Sequence, residues 1–334
     1  MIKQPVIHND LKPKLIPSIM SGFEIVANRP WLIILPILLD LFLWFGPHIR
    51  MKNLISPIIE DYKIPASLQN TDFTRVFSAT RELYLVLAER FNLFSGFRTL
   101  PLGIPSLVSG TSPNANPIGY PIIWEAGSLS SAFLIWLVIS LAGLIACSFY
   151  FNAISRATAR DNAESTPGTI GWQTLQLLYL ALLSLAFLLI LVFPAMTLVT
   201  MVTLVAPALG QIALFIVGLF FIWMITPMLF TPQVIFMHHQ PVLKALLSSI
   251  RMVRFGLPST GMFFIILIIL SQGLNILWQV PAENSWLTLV GIGGHALVNT
   301  SLIAAIFIYY RDAYKWVQTI ILQNNLAQTS PGAR

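Results

Sequence analysis

Charge is scarce in this chain and cysteine is almost absent. Of its 334 residues only 10% are Asp, Glu, Lys or Arg and 56% are hydrophobic, against about 25% charged in an ordinary soluble domain. With a mean hydropathy of +0.77, lipid is the expected solvent. Cys147 is the single cysteine and lies in an apolar run, which excludes a disulfide framework or a thiolate metal cluster and predicts a buried, inert thiol. Also missing are a G-x-x-x-x-G-K-[ST] loop, H-E-x-x-H, G-x-S-x-G, a dinucleotide glycine fingerprint and a calcium loop; an ATP-driven pump or a membrane protease is thereby disfavoured. The net charge of +6 is scattered beside apolar runs, not gathered in a basic stripe among aromatics, so nucleic acid is not an expected partner. No stretch outside the apolar runs is long enough for a separate core, and 1–334 reads as one membrane domain. The opening MIKQPVIHNDLKPKLIPSIM lacks the continuous apolar segment of a cleaved leader, so the first apolar run is expected to be retained.

What is present is a series of apolar runs. A span needs about 20 mostly apolar residues, and five runs qualify: Leu129 to Phe151, Leu175 to Thr203, Leu209 to Thr231, Met262 to Val280 and Trp286 to Tyr309. A sixth, Trp31 to Pro47, is short but could lengthen into Ile49 to Ile59 as one helix leaving the bilayer. The third and fourth runs are nearly continuous, yet a single helix from Thr174 to Thr231 would be about 87 Å long, nearly three hydrocarbon thicknesses. A hairpin turning near Pro207 and Gly210 is predicted instead. The fold class is therefore all-α integral membrane, with six transmembrane helices, interfacial amphipathic helices and a partly helical extracytoplasmic loop.

Short connections set the orientation. Arg156 and Arg160 follow span two, Lys244, Arg251 and Arg254 follow span four, and Arg311 and Lys315 follow span six. The turns at Pro207 and at Pro281 to Asn284 carry no Lys or Arg. Basic ends stay in the cytoplasm, so both termini are expected there. The cations of the long first loop, Arg50, Lys52, Lys63, Arg75, Arg81, Arg90 and Arg98, carry less weight, because long segments translocate largely regardless of charge.

Two segments are predicted to lie on the inner membrane face. In 15–28, Ile16, Ile19, Met20, Phe23, Val26 and Ala27 recur at helical spacing, with Ser18, Ser21 and Asn28 opposite and Lys12 and Lys14 upstream. In 242–255, Leu243, Leu246, Leu247, Ile250 and Val253 form a stripe beside Lys244, Ser248 and Arg251. Lys244, Arg251 and Arg254 are the expected contacts to anionic headgroups; packing against the inner end of the bundle is the alternative for both helices. The extracytoplasmic loop 46–128 should hold an amphipathic helix from Thr71 or Asp72 to about Phe94. Residues 93–108 follow, apolar but broken by Gly96, Pro101, Gly103 and Pro105, as a re-entrant or interfacial cap. Ser109 to Pro121 then reads as a linker.

No catalytic constellation, metal site or cofactor is expected. His238 and His239 are adjacent, so on a helix they diverge by about 100° and do not make the i, i+4 pair that a metal favours. Asp40 and His295 are the ionisable groups placed within spans, where a charge costs at least about 2.5 kcal/mol. With Gln211, Gln272, Asn275 and Asn299 they form a candidate intramembrane polar network, with either a structural role or a path for protons or solutes. If Asp40 is structural, Asp40→Asn should be nearly silent.

Three stretches carry a family resemblance: Thr231-Pro-Gln-Val-Ile-Phe-Met-His-His-Gln-Pro-Val-Leu-Lys-Ala-Leu-Leu-Ser-Ser-Ile-Arg-Met-Val-Arg254, the ending Ile308-Tyr-Tyr-Arg-Asp-Ala-Tyr314, and Asn28-Arg-Pro-Trp-Leu-Ile-Ile-Leu-Pro36. They resemble the elbow, last span and first span of a broad group of bacterial six-span proteins that includes the YciC-like proteins and the membrane domain attached to some glycerophosphodiester phosphodiesterases. The resemblance implies a membrane-embedded accessory role at most, and with the spans and basic helices above the expected setting is the bacterial cytoplasmic membrane, multi-pass, with the lipid bilayer and its anionic headgroups as partners. The chain departs from that group in its first outer loop of some eighty residues and has no soluble phosphodiesterase domain, so hydrolysis is not carried over. The expected function is non-enzymatic, in membrane organisation, export or assembly; the rival is a small-solute or proton-coupled transporter.

Overall fold

The structure, a computed structural model, describes residues 13–61, 71–99, 102–159 and 169–329. Lys3, Lys12, Lys63 and Arg160 of the charge pattern lie outside the described residues. The fold is all-α and membrane-like. Five helices are long and apolar enough to cross a bilayer, or six if one bent pair counts as a span.

That bent pair opens the described chain. Helix α1 (Leu15–Asn28) meets α2 (Ile34–Phe45) at 95° through a 3-10 turn, Pro30–Ile33. Pro30 bars the helical conformation at Arg29, whose φ and ψ are −136° and 64°. α1 lies against the long α13 (Thr288–Thr329). A Cβ on Gly22 would come 2.4 Å from the Ser301 carbonyl oxygen, so only glycine permits this approach. The buried face of α1 is Ser18, Ile19, Gly22 and Val26, while Ile16 and Met20 point outward. Ser18 and Gly22 let the two helices approach closely, as small residues do between helices in lipid, while Ile19 and Val26 fill the space beside them.

α2 has 12 residues, about 18 Å, and stops at Gly46 and Pro47. The continuation into Ile49 to Ile59 as one helix does not form. Instead β1 (His48–Arg50) pairs in parallel with β2 (Ile123–Glu125), His48 beside Ile123 and Arg50 beside Glu125, and α3 (Lys52–Asp61) is a separate helix. α4 (Thr71–Arg90) packs on α3.

α6 (Leu129–Thr158), which follows a single helical turn α5 (Val108–Thr111), begins in a reciprocal cap. The Ser131 N–H donates to the Ser128 hydroxyl at 3.2 Å, and the Ser128 N–H to the Ser131 hydroxyl at 3.1 Å. α7 (Ile170–Phe187) continues through a π turn, Leu188–Val192, into α8 (Phe193–Val205). Pro194 has no N–H to give the preceding turn, and the wider turn absorbs the mismatch. The chain then reverses at Ala206 into α9 (Pro207–Ile225), and a Cβ on Gly210 would overlap Thr203. This is the hairpin that the length argument predicts. Its apolar stretches are only 11% and 6% buried, against 56% in α13, so it stands at the edge of the bundle.

The core is built from α2, α6, α10 (Thr231–His238), α11 (Val242–Phe255), α12 (Leu257–Trp278) and α13, joined by Ile19 and Val26 of α1 and Leu177 and Leu180 of α7. Phe263 stacks on Tyr309 at 4.1 Å, and the Tyr150 and Thr300 hydroxyls meet at 2.9 Å between α6 and α13. Two buried glutamines on α7 tie it to its neighbours. The Asn152 amide donates to Gln173 at 2.6 Å, and Gln176 accepts the Val242 N–H at 2.9 Å, capping α11 where Pro241 has no side-chain acceptor to offer. One end of the bundle is covered by segments of 46–128; the other carries Arg156, Arg311 and Lys315.

Candidate functional site

At the covered end, residues 93–99 and 102–108 pack into the bundle. A 3-10 turn, Leu93–Phe97, sets Phe94 edge-on to Phe42 at 5.1 Å. The Phe97 backbone lies where a Cβ on Gly143 would be, and Thr99 hydrogen-bonds the Cys147 thiol. Cys147 is about 27 Å along α6 from Leu129, at 1.5 Å per residue. The chain then climbs back, the Thr99 hydroxyl donating to the Leu102 carbonyl.

Asp40 holds the returning strand. Its side chain is fully buried, and both carboxylate oxygens accept: Oδ1 from the Ser106 hydroxyl at 2.5 Å and the Val108 N–H at 3.1 Å, Oδ2 from the Leu107 N–H at 3.0 Å. The Ser106 hydroxyl in turn accepts from the Ser109 N–H at 3.0 Å. Burying a carboxylate demands such donors. The Arg98 guanidinium, near the tip of the re-entrant segment, is close enough to act electrostatically on both Asp40 and His295.

The other candidate network residues are distributed differently. Asn299 accepts from the Ser271 hydroxyl at 2.8 Å and donates to the His295 carbonyl at 3.0 Å, joining α12 to α13. The His295 ring is buried, and its Nδ1 has no hydrogen-bond partner among the described residues. Gln272 and Gln211 are exposed on α12 and α9, and Asn275 is half-buried. The structure thus brings Asn299 to His295, places Arg98 within reach of His295 and Asp40, and leaves Gln211 apart on the hairpin.

Above this lies a polar clasp. Glu283, between α12 and α13, pairs with Arg90 at 3.0 Å, accepts the Asn114 N–H at 3.0 Å and, through its carbonyl, the Trp44 indole N–H at 3.0 Å. Arg50 donates to Asn114 at 2.8 Å, and Asn92 accepts the Ile49 N–H at 3.0 Å. His48 is buried with Nε2 3.1 Å from the Leu43 carbonyl. Its pKa is lowered from the ordinary value, chiefly by burial and further by the Arg50 charge, against the opposing pull of the Leu43 carbonyl.

The opposite end is basic and hollow. α10 ends at His239, whose left-handed φ of 50° turns the chain before Pro241 excludes further helix. Between this corner, α6 and α13 lies a cavity of about 520 Å³ whose walls include Arg156, His238, His239, Arg311 and Lys315. Arg311 is 7% exposed; its Nη1 donates to the Thr158 carbonyl at 2.6 Å and its Nε to Asp312 at 3.1 Å. The Thr158 carbonyl belongs to the last turn of α6, where the helix dipole is negative and carbonyls lack helical partners. The His238 ring packs against that of Tyr314 at 4.4 Å, tilted by 37°. A second cavity of about 380 Å³ shares Asn152 and Arg156 and runs on to Arg29, Trp31, Phe149 and Ile170. On α11 the packed face is Val242, Ala245, Ser249, Met252 and Val253, which leaves Lys244, Arg251 and Arg254 exposed beside Leu243 and Leu247.

Sequence reasoning missed Arg98 and Ser106, which sat in a loop; the signal available was an apolar segment with its glycines and prolines closely spaced. It also missed the convergence of Arg156, Arg311 and the two histidines, which come from three separate helices. Comparison of the chain with protein-family models, curated proteins and solved structures gives no match.

Proposed function

We propose that this is a non-enzymatic, multi-pass protein of the bacterial cytoplasmic membrane, with both termini in the cytoplasm, acting as an accessory in membrane organisation, export or assembly. The observation that carries this reading is the use made of Asp40. Its carboxylate is fully engaged in fastening the re-entrant segment across the covered end, where a transport path would keep such a group open to water or cargo. The resemblance of the elbow and the first and last spans to the YciC-like group supports the same direction, and the basic end fits the cytoplasmic side.

A carrier for protons or small solutes is the alternative, favoured by the unpartnered His295 Nδ1 beneath the cap. One assay separates the two: proteoliposomes loaded with a pH-sensitive dye and given a pH gradient. An accessory protein should show no proton flux above protein-free liposomes. Flux that is lost in His295→Ala, with the protein still folded, would overturn the proposal. Reporter fusions at Asn114 and Gln318 should report the outside and the cytoplasm respectively; the reverse would invert the topology.

A further inference from the structure

We infer that the two adjoining cavities at the basic end bind a phosphate-bearing anion, with an anionic glycerophospholipid as the occupant that fits both of them. The larger cavity supplies the charge. Arg156 from α6, Arg311 and Lys315 from α13, and His238 and His239 from the α10 corner converge on about 520 Å³, a volume within the ~300–1,000 Å³ range of small-ligand sites. Among the described residues Arg156 makes no ion pair or hydrogen bond. Arg311 is fixed in place by Thr158 and Asp312 with Nη2 left over, and Asp312 is the carboxylate that balances it. Arg156 on α6 and Arg311 and Lys315 on α13 repel one another in a partly buried site, and a phosphate oxygen set relieves that repulsion through charge-assisted hydrogen bonds.

The smaller cavity supplies the amphiphile's other half. It opens from the same Asn152 and Arg156 wall toward Trp31 and Phe149, whose rings are 53% and 52% exposed on the apolar flank of the bundle. Arg29, at the bend between α1 and α2, stands at its edge. A phosphodiester in the larger cavity would send its glycerol and acyl chains past Trp31 and Phe149 into the bilayer, the geometry of an interfacial aromatic girdle. A free phosphate or soluble phosphate ester would use the first cavity alone. This inference stands on the cavities and does not depend on whether the protein is an accessory or a carrier.

The test uses the full chain in zwitterionic detergent micelles, titrated calorimetrically with dihexanoyl phosphatidylglycerol, dihexanoyl phosphatidylcholine, glycerol 1-phosphate and inorganic phosphate. Binding of the anionic lipid at least tenfold tighter than the zwitterionic one is expected, weakened about tenfold or more in Arg156→Gln/Lys315→Gln and unchanged in Lys52→Gln, which removes an exposed cation at the opposite end of the bundle. Circular dichroism and gel filtration check that each variant folds. If glycerol 1-phosphate or inorganic phosphate binds as tightly as the anionic lipid with the same dependence on Arg156 and Lys315, the anion site stands and its source is soluble. Equal affinity for the two lipids with no binding of the soluble phosphates, or binding indifferent to Arg156→Gln/Lys315→Gln, would overturn it.

Discussion

Removing the Asp40 carboxylate should release the re-entrant segment, and Cys147 is placed to report it. In Asp40→Ala the N–H groups of Leu107 and Val108 lose their acceptor in a buried site, while the Ser106 hydroxyl can turn elsewhere. Each orphaned donor costs about 1–3 kcal/mol. Two of them at the middle of that range total roughly 4 kcal/mol, raising the opened population some 10²- to 10³-fold. In Asp40→Asn the remaining oxygen can keep Ser106 and Val108, but its NH2 group faces the Leu107 N–H, so one donor is lost and the rise is about 10- to 100-fold. Ser106→Ala keeps both backbone amides satisfied and should change opening least. The Cys147 thiol is buried beneath Phe97 and Thr99 and is the only thiol in the chain. Its labelling by a maleimide in excess therefore measures opening of this segment. The expected order of rates is Asp40→Ala, then Asp40→Asn, then Ser106→Ala, then the parent protein. Labelling of Asp40→Ala at the parent rate would refute the claim that this carboxylate fastens the cap.

Three further outcomes are expected. Gly22→Val should lower the melting temperature in micelles, with overpacking of about 1–3 kcal/mol where a Cβ meets the Ser301 carbonyl; Gly218→Ala, with open space around it, is the neutral control, and equal behaviour of the two would reject the close approach. Because the folded protein holds His48 neutral more strongly than the unfolded chain does, its contribution to stability is complete above the ordinary value of 6.5 and declines as pH falls below it. Melting temperatures between pH 7 and 5 should therefore drop less in His48→Gln than in the parent, and parallel curves would contradict this. Glu283→Ala should speed limited proteolysis within 102–125 severalfold, mostly through the freed Asn114 amide, since the half-exposed pair with Arg90 contributes only about 0–1 kcal/mol; unchanged cleavage would place the clasp elsewhere.

Much of the architecture was legible because lipid imposes one strong rule, that spans be apolar and helical. The lengths of the runs gave the crossings, and the 87 Å argument gave the hairpin at Pro207 and Gly210. The first run was harder. Pro47 and the pairing of His48 with Ile123 break the chain where hydropathy alone allowed a continuous helix, and strand pairing across some seventy residues leaves no local trace. On α1, hydrophobic periodicity picked out Ile16, Ile19, Met20, Phe23, Val26 and Ala27; Ile19 and Val26 are indeed buried, but Ile16 and Met20 face outward and the packing face is completed by the small Ser18 and Gly22. At the site, Asp40 stood out because an acid in an apolar run is expensive. Its partners did not, since Ser106 and two backbone amides have no signature and Arg98 looked like one more loop cation. The bidentate engagement of the carboxylate also removes the expectation that Asp40→Asn would be nearly silent.

The α7–α9 hairpin has a mechanical consequence. Its two limbs brace each other through Gly210 and Thr203, and few of their side chains are committed to the rest of the bundle. When bilayer thickness changes, a helix adapts most readily by tilting, at a fraction of a kcal/mol per Å of mismatch. The central helices are cross-linked by the Tyr150–Thr300 and Ser271–Asn299 hydrogen bonds and resist that motion, whereas the hairpin can lean as a unit, pivoting on the glutamine ties at the start of α7. The widened turn at Leu188–Val192 adds a flexure point within the long limb. The hairpin thus acts as a compliant flap beside a stiff core, and the inclination of α9 should follow acyl-chain length while the spacing of α6 and α13 stays constant.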